Sequence, residues 1–293
     1  MKPADCNTAF FFRGERIASS FQLIRPLRIR QFSESWLAFR IDSGLPFAIK
    51  FLRREHPRIA EFHAVADFLK KQSSCPYLIR VFEYAETDQG MPYAVMEYAE
   101  GGTLREELRR TPILPLQRAL FLFRGMLLAL RTLHDHGIIH RDVKPENIWM
   151  MPDGGFRLGD LGLAKLPGFP ETPGNVFGTA SYMSPEQALD STAVDARSDL
   201  YSLALILYEV LTGKRFRPGK NDFTGTLKYI LSDRSSPPIG ILRSASTENL
   251  AFLLGRMMER SASLRPGSAS EVLAELDSMD LFPEEGMADR ERD

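Results

Sequence analysis

The sequence changes character at a double glycine, within the tetrapeptide EGGT at 100–103. Before this point, short apolar runs alternate with turn residues, which is typical of strands. After it, apolar residues recur with helical spacing over longer segments. Two adjacent glycines between regions of different pattern indicate a linker. We therefore expect an α+β chain in two lobes, a small β-rich lobe with one main helix and a larger α-helical lobe, with a cleft between them.

The region before the double glycine contains apolar runs of strand length and one segment of helical spacing. The turn DSG at 42–44 separates two of the runs, so these two predict an antiparallel hairpin. The predicted strands are 21–27, 35–40, 46–52, 77–84 and 93–97, and the predicted helix is 58–71.

Beyond the double glycine the apolar spacing is mostly helical. The segment 199–212 is strongly apolar, which predicts a buried helix. The predicted helices are 116–136, 199–212, 250–259 and 268–279, and the last residues, 284–293, are charged.

Charge and cysteine content argue against several classes of protein. The chain has 37 Lys and Arg against 38 Asp and Glu, so it lacks the basic excess that general nucleic-acid binding requires. Cys6 and Cys75 are too few for a disulfide framework or a four-thiolate zinc site, and we expect Cys75 to be an ordinary buried residue. Neither a signal peptide nor an apolar stretch of membrane-spanning length is evident in the sequence. We expect a soluble, cytoplasmic protein without nucleic-acid or membrane partners.

The segment that says most about chemistry is HRDVKPEN at 140–147, directly after the longest predicted helix. Four further motifs accompany it: AIK at 48–50, DLG at 160–162, GT at 178–179 and SPE at 184–186. In their order along the chain, these motifs resemble those of the eukaryotic-like serine/threonine protein kinases. The segment YMSPEQA at 182–188 resembles the bacterial branch most. One motif alone would be weak, whereas the ordered set is very specific.

The resemblance covers about residues 20–282 and implies the bilobal protein kinase fold. It divides the chain into an N-terminal extension (1–19), a kinase domain (20–282) and a charged C-terminal tail (283–293). Within the domain it predicts an N-lobe, a hinge and a C-lobe at 20–96, 97–101 and 102–282. It also implies ATP and Mg²⁺ as cofactors, and protein substrates with Ser or Thr acceptors.

The resemblance gives each polar residue of these motifs a role in phosphoryl transfer. Asp142 would accept the proton of the substrate hydroxyl or orient that hydroxyl, and Lys144 would offer its ammonium to the moving phosphoryl group. Asn147 and Asp160 carry hard oxygen ligands suited to Mg²⁺. Thr179 would hydrogen-bond near Asp142 and help to fix the acceptor site.

Phosphate binding is assigned in the same way to Lys50, which would hold the α- and β-phosphates as a point charge. This lysine requires a carboxylate partner from the predicted helix 58–71. Glu61 is the preferred partner, and Asp67 is the alternative.

Adenine binding is assigned to the hinge and its surroundings. Met96 would occupy the gatekeeper position. Glu97 and Ala99 would present backbone groups to the base, as an added strand would.

The two faces of the adenine slot are also assigned by the resemblance. Leu27 and Ala48 would form its ceiling. Trp149 falls where the family usually has an aliphatic floor residue, and its indole would stack on the base. The alternative is a core tryptophan that points away from the nucleotide.

The departure from the family lies at the Gly-rich loop. Aligned on Leu27, the three glycine positions hold Arg28, Arg30 and Ser33, and Ser35 replaces the usual apolar residue over the base. Glycines let backbone N–H groups approach the phosphates without interference from a Cβ. One hypothesis is that Arg28 or Arg30 reaches the phosphates instead; the alternative is that both lie on an exposed strand edge.

The sequence leaves two alternatives to an active protein kinase, which is the first option. The missing glycines favour a pseudokinase acting as a scaffold or allosteric binding module, whereas the intact transfer residues favour the active enzyme. A small-molecule phosphotransferase of similar fold is the third option, which the peptide-docking motif SPE at 184–186 opposes.

Arg141 directly precedes Asp142. In the family this arrangement accompanies control by phosphorylation of the activation segment, the stretch from DLG at 160–162 to SPE at 184–186, where the phosphate pairs with that arginine. Thr172 carries the only side-chain hydroxyl between Gly162 and Gly178, so it is the predicted phosphosite.

Three further residues are expected to hold the structure rather than to act on substrate. Glu186 should pair with Arg265 at the end of the activation segment. Asp199 should accept backbone N–H groups of the catalytic loop.

Overall fold

The structure is a computed structural model that describes residues 10–171, 174, 176, 178–217, 223–232, 238–242, 247–279 and 281. The chain forms two compact units, and the boundary between them falls between Gly101 and Gly102. Each unit has its own secondary structure and core, and each is described by itself below.

The N-terminal unit consists of one antiparallel sheet and one helix. Its elements are β1 (Arg16–Ile17), β2 (Phe21–Arg30), β3 (Ser33–Arg40), β4 (Pro46–Leu52), α1 (Ile59–Lys71), β5 (Val81–Glu86) and β6 (Pro92–Glu97). The strands pair in the order β1-β2-β3-β4-β6-β5. The predicted strands 21–27, 35–40, 46–52 and 93–97 and the predicted helix 58–71 are therefore confirmed.

Alternation along β4 gives the sheet one apolar face. Phe47, Ile49 and Phe51 are buried, and the intervening Ala48 and Lys50 point to the opposite face. The buried face forms a common core with apolar residues of the neighbouring strands. Burying one such side chain contributes about 1.5–3 kcal/mol, so this face determines the register of the sheet.

The N-terminal extension takes part in this core. Phe11 packs on Phe51 with ring centroids 4.1 Å apart. The buried carboxylate of Glu34 accepts hydrogen bonds from the Phe10 N–H and the Trp36 indole N–H. The extension thus covers one part of the sheet and satisfies a buried polar group.

The prediction of a strand over 77–84 is wrong in its first half. The Leu78 N–H donates to the Cys75 carbonyl at 3.4 Å and closes a turn, and β5 begins only at Val81. Leu78 and Ile79 are buried, which explains why the segment resembles a strand in hydrophobic pattern. The free thiol residue Cys75 is half-buried rather than buried as expected.

The C-terminal unit is mainly helical. Its elements are α2 (Leu104–Arg110), α3 (Leu116–Asp135), β7 (Ile148–Met150), β8 (Phe156–Leu158), α4 (Pro185–Leu189), α5 (Ala196–Thr212), α6 (Phe223–Ser232), α7 (Glu248–Met257) and α8 (Ala269–Asp277). The four predicted helices correspond to α3, α5, α7 and α8, and the α+β fold class is confirmed. The C-terminal tail 283–293 lies outside the described residues.

Helix α5 forms the centre of this unit. Its residues are buried without interruption from Ser198 to Val210, in agreement with the strongly apolar sequence. The Asp195 carboxylate caps its N-terminus, and Gly213 ends it in a left-handed conformation with φ +69°. Helix α3 packs against both α5 and α8, so the loop that follows α3 emerges beside the start of α5.

Three helices, α2, α4 and α6, were not predicted from the sequence. Helix α2 is short, but it has a clear start signal, because Thr103 and Glu106 form a reciprocal capping box. Helix α6 has only ten residues. Among the described residues, no helix is both long and apolar enough to span a membrane.

Candidate active site

The loop after α3 is held by a carboxylate at the start of α5. The backbone N–H groups of His140 and Arg141 donate to the Asp199 carboxylate at 2.8 and 2.9 Å. Asp199 is 1% exposed, and the predicted role of this residue is confirmed. Arg141 has a left-handed φ of +63°, a strained conformation for a non-glycine residue that these two bonds help to hold.

The side chain of Asp142 is the centre of a compact polar cluster. Its Oδ2 accepts hydrogen bonds from Lys144 Nζ at 2.6 Å and from Asn147 Nδ2 at 3.0 Å. Its Oδ1 accepts from the backbone N–H and the hydroxyl of Thr179 at 3.0 and 3.1 Å. Lys144 Nζ also donates to the Thr179 hydroxyl at 2.6 Å. Three residues from two separate motifs, Lys144 and Asn147 from the first and Thr179 from the second, therefore converge on one carboxylate.

Asn147 has an oxygen oriented for a further ligand. Its Nδ2 donates to the carbonyl and to the carboxylate of Asp142, which fixes the amide plane. Its Oδ1 is buried and has no hydrogen-bond partner. Leaving a buried acceptor unsatisfied costs about 1–3 kcal/mol, so this oxygen fits a group, such as Mg²⁺, that would coordinate it.

Asp160 lies next to the segment of Asn147. The Gly159 N–H donates to the Asn147 carbonyl at 3.0 Å, and Asp160 follows in a left-handed conformation with φ +58°. Within the described ranges, no group of three or more His, Cys, Asp or Glu side chains is placed to hold a metal. The side chains of Asn147 and Asp160 carry hard oxygen ligands, the type that Mg²⁺ takes together with phosphate oxygens and water.

Gly178 and Gln187 keep Thr179 in place. Gly178 has φ +116°, and a Cβ there would lie 2.8 Å from the Arg141 carbonyl oxygen, so only glycine allows this approach. Gln187 Nε2 donates to the same carbonyl at 2.6 Å. Sequence reasoning missed Gln187, although it lies within the YMSPEQA motif that was singled out.

The side chain of Arg141 pairs with a residue that the sequence did not predict. Its two terminal nitrogens donate to the two carboxylate oxygens of Glu171, each at 2.9 Å. The predicted phosphosite Thr172 lies outside the described residues.

The predicted pair of Glu186 and Arg265 is confirmed. The Arg265 guanidinium, which is fully buried, donates to both Glu186 oxygens at 2.7 and 2.8 Å. The Ser198 hydroxyl donates to Glu186 as well, at 2.6 Å. The end of the activation segment is thus joined to the start of α5.

Two carboxylates, those of the buried Asp199 and the half-buried Glu186, should make the fold sensitive to acid. Burial raises the pKa of Glu186, but the hydrogen bonds and charge of Arg265 outweigh burial and leave this pKa below its usual range. Burial likewise raises the pKa of Asp199, and His134 together with the His140 N–H outweighs it. Because both pKa values are lower in the folded state, their stabilisation is present at neutral pH and is lost as the pH falls below about 5.

We expect the urea concentration at the midpoint of unfolding to decrease when the pH is lowered from 6 to 3.5. The variant Asp199→Asn lacks one of the titrating groups, so its midpoint should be lower at pH 6 but should change less over this range. A wild-type midpoint that stays level or rises on acidification would contradict the prediction.

In the N-terminal unit, three of the predicted nucleotide-binding residues, Ala48, Lys50 and Met96, share the face of the sheet opposite the apolar core. Ala48 pairs with Met96 on β6 and with Leu37 on β3, and Lys50 pairs with Ser35. Directly opposed residues of antiparallel strands project to the same face. Leu37 was not predicted, although it places an apolar side chain beside Ala48.

The hinge residues have distinct backbone roles. The Glu97 N–H donates to the Arg80 carbonyl at 3.0 Å, and the Glu97 carboxylate accepts from the Arg80 N–H at 2.7 Å. Any backbone contact from Glu97 to a base must therefore come from its carbonyl. Ala99 is 6% exposed and follows the end of β6.

Trp149 lies in the middle of β7 in the C-terminal unit. Its neighbours Ile148 and Met150 are buried, whereas Trp149 is half-buried. Alternation along the strand directs the indole to the face opposite these two residues. Its stacking on adenine stays a prediction.

Lys50 and Glu61 both lie close enough to His56 for their charges to act on its imidazole. Burial and the charges of Lys50 and Arg58 lower the pKa of His56, and the charge of Glu61 opposes this shift. Glu61 accepts a hydrogen bond from Arg58 at 3.0 Å.

Asp67 has other partners. It pairs with Lys71 at 2.5 Å and accepts from the Tyr84 hydroxyl at 3.4 Å. A direct pair between Lys50 and Glu61 stays a prediction.

A tight hairpin stands where the family has its Gly-rich loop. The pairing of β2 with β3 continues to Arg30 and Ser33, and only two residues form the turn. The Phe32 carbonyl at the tip accepts from the Arg53 N–H at 3.0 Å, and the Phe32 ring meets the His56 ring edge-on at 6.1 Å. The hairpin tip is therefore attached to the connection between β4 and α1.

The comparisons with known proteins agree with this geometry. A family model described as "Protein kinase domain" matches residues 30–276. "Serine/threonine-protein kinase pkn2" of Myxococcus xanthus is 34% identical over 272 residues, which are 86% of this chain and 31% of the relative. "Serine/threonine-protein kinase PknB" of Mycolicibacterium smegmatis is 33% identical over 278 residues, which are 89% of this chain and 43% of the relative.

The chain thus spans about a third to two fifths of the length of these curated relatives. The family match and the names of the relatives do not favour the pseudokinase alternative. With the family model matched over residues 30–276 and two of the kinase motifs joined at Asp142, this chain belongs to the protein kinase family and is similar to bacterial serine/threonine members.

Proposed function

We propose that this chain is a serine/threonine protein kinase that transfers the γ-phosphoryl group of ATP to protein Ser and Thr hydroxyls. The observation that carries this proposal is the Asp142 cluster, in which one carboxylate contacts Lys144, Asn147 and Thr179. Phosphoryl transfer needs an oriented nucleophile and stabilised phosphate charge rather than covalent chemistry, and this cluster supplies both kinds of group.

Asp142 is the catalytic carboxylate in this proposal. It would accept the hydrogen bond, and then the proton, of the acceptor hydroxyl. Three donors, on Lys144, Asn147 and Thr179, fix the direction in which the carboxylate points. Such fixed orientation limits the reorganisation that transfer requires.

Lys144 and Thr179 would act on the charge of the transferred group and on its acceptor. The Lys144 ammonium lies 2.6 Å from both the Asp142 carboxylate and the Thr179 hydroxyl, so it can turn towards a phosphoryl oxygen without leaving the cluster. Thr179 would border the acceptor, where a Ser or Thr hydroxyl has to approach Asp142.

Asn147 and Asp160 are the proposed holders of Mg²⁺. When bound, the ion would neutralise phosphate charge and orient the nucleotide. The buried, unpartnered Oδ1 of Asn147 supports this assignment.

Within the N-terminal unit, Lys50 is the proposed partner of the α- and β-phosphates. Ala48 and Met96 share its face of the sheet and would contact adenine together with Leu27. Glu97 would contribute its backbone carbonyl to the contact with adenine.

The metal assignment predicts a Mg²⁺-dependent effect of ATP on stability. At about 100 times its Kd, a ligand that binds only the folded state adds about 2.7 kcal/mol, which raises the Tm by about 5–10 °C in a domain of this size. We expect this increment with ATP and Mg²⁺ and a smaller one with ATP and EDTA. Asn147→Ala should lose the Mg²⁺-dependent part, since Oδ1 is removed.

Arg110→Ala is the control for this measurement, because the Arg110 side chain is 66% exposed. It should keep the full Mg²⁺-dependent increment. An equal increment in Asn147→Ala and wild type would rule out Asn147 as a metal ligand.

The proposed function is tested with two degenerate peptide mixtures that differ only in the acceptor, one with Ser and Thr and one with Tyr. With Mg²⁺-ATP we expect phosphate on the Ser/Thr mixture only. Phosphate on the Tyr mixture alone, or on neither mixture with ATP bound, would count against the proposal.

A further inference from the structure

The Arg141 side chain is fully buried, so its positive charge requires a negatively charged partner. Removing the partner of a buried charge costs about 3–5 kcal/mol, because the charge is left uncompensated away from water. The folded chain must therefore supply a negative group at this position, or bind one.

Glu171 supplies this group from within the chain. The bidentate pair has both N···O distances at 2.9 Å, the geometry in which guanidinium binds carboxylate most strongly. The Glu171 side chain is itself only 16% exposed, so the pair is shielded from solvent. Buried pairs of this kind are screened by salt much less than surface pairs.

The same guanidinium joins three parts of the chain. Its Nε donates to the Leu163 carbonyl at 2.7 Å, directly after the DLG motif. One terminal nitrogen also donates to the Ser191 carbonyl at 3.1 Å, two residues after the end of α4. Glu171 thus completes a set of bonds that ties Arg141 to the start of the activation segment, to Glu171 within it and to the chain just beyond it.

The backbone of Arg141 also contacts the residues next to the proposed reacting groups. Its carbonyl is the atom against which Gly178 packs and to which Gln187 donates. The next residue along the chain is Asp142, and the residue after Gly178 is Thr179. A shift of Arg141 therefore changes the distance between Asp142 and Thr179.

We propose that Glu171 is a positioning residue that, through Arg141, holds the activation segment in place for transfer and makes transfer independent of phosphorylation of this segment. The proposal rests on the proposed function above. It replaces the expectation of a phosphate at Thr172, because the anion that Arg141 needs is already part of the chain.

The test compares wild type, Glu171→Gln, Glu171→Asp and Thr172→Ala in the same peptide assay, each after phosphatase treatment that intact-mass spectrometry verifies. Dephosphorylated wild type and Thr172→Ala should be as active as the untreated wild-type protein. Glu171→Gln should lower kcat about 10- to 100-fold, the range for losing a charged hydrogen bond. Glu171→Asp, which keeps the charge but is shorter, should be intermediate.

A second measurement does not depend on activity. Hydrogen exchange of the backbone amides in 163–171 should be about 10- to 100-fold faster in Glu171→Gln than in wild type, with the Mg²⁺-ATP stability increment retained. If wild type transfers no phosphate, the proposed function fails, and this exchange difference still decides the role of Glu171. Full activity or unchanged exchange in Glu171→Gln, or loss of wild-type activity on dephosphorylation, would overturn the proposal.

Discussion

Asp142→Asn should lower kcat for peptide phosphorylation by about 10³-fold, within the range that positioned general bases contribute. The amide oxygen of asparagine can still accept from the Thr179 N–H, so the loop should keep its conformation. What is lost is the charge and the proton acceptor that the substrate hydroxyl would meet. The KM for ATP should stay near the wild-type value, because the groups proposed to bind phosphate and Mg²⁺ are unchanged.

Steady-state kinetics with varied peptide and varied ATP measure this split between kcat and KM. The matched control is Asp153→Asn, the same chemical change at an aspartate of the same unit whose side chain is 62% exposed. It should leave both constants unchanged. A kcat for Asp142→Asn within tenfold of wild type would remove Asp142 from the catalytic role.

Arg265→Ala should destabilise the C-terminal unit by about 3 kcal/mol, the lower end of the cost of removing one partner of a buried ion pair, because the Glu186 left behind is half-buried. The Arg265 guanidinium bonds both oxygens of Glu186 and also donates to the Glu259 and Arg197 carbonyls. Its loss therefore leaves several acceptors without this donor at once. Urea unfolding followed by circular dichroism measures the change in the free energy of unfolding.

The control for this prediction is Arg110→Ala, which breaks an exposed pair with Glu107 and should cost less than about 1 kcal/mol. Arg265→Lys keeps the charge but not the bidentate geometry, so its stability should lie between those of wild type and Arg265→Ala. An effect of Arg265→Ala no larger than that of Arg110→Ala would show that the buried pair does not hold this segment.

The elements predicted best from the sequence are those whose side-chain period is unambiguous. Strand β4 was predicted with its observed bounds, because Phe47, Ile49 and Phe51 alternate with outward residues. Helix α5 was predicted because a strongly apolar run of this length can only be a buried helix in a chain of this kind. The start of strand β5 was misplaced because Leu78 and Ile79 are buried between a turn and the strand, and burial alone does not specify a strand.

Parts of the site could be predicted because each motif fixes several groups within a few residues of one another. Asp142, Lys144 and Asn147 lie on one short loop, so a contact between them follows from their spacing. The pair of Glu186 and Arg265 could be predicted only through the family resemblance. Glu171 could not be predicted, because its contact with Arg141 depends on the path of the intervening segment rather than on any local pattern.

The hairpin at the position of the Gly-rich loop is the feature in which this chain departs most from its family. Its backbone continues the ladder of β2 and β3, and its tip is attached through Phe32 to Arg53 and His56. Arg30 is exposed near the tip. We expect this hairpin to change the affinity for nucleotide rather than the transfer step, because the groups proposed for transfer all lie in the C-terminal unit.

The central claim is therefore that the chain transfers phosphate although the glycines are absent. The most direct measurement is intact-mass spectrometry of the purified chain and the Ser/Thr peptide mixture after incubation with Mg²⁺-ATP, run beside Asp142→Asn. We predict added phosphate on the peptides with wild type and none with Asp142→Asn. No phosphate on either the peptides or the chain, together with no ATP-dependent rise in Tm, would contradict the claim and favour the pseudokinase alternative.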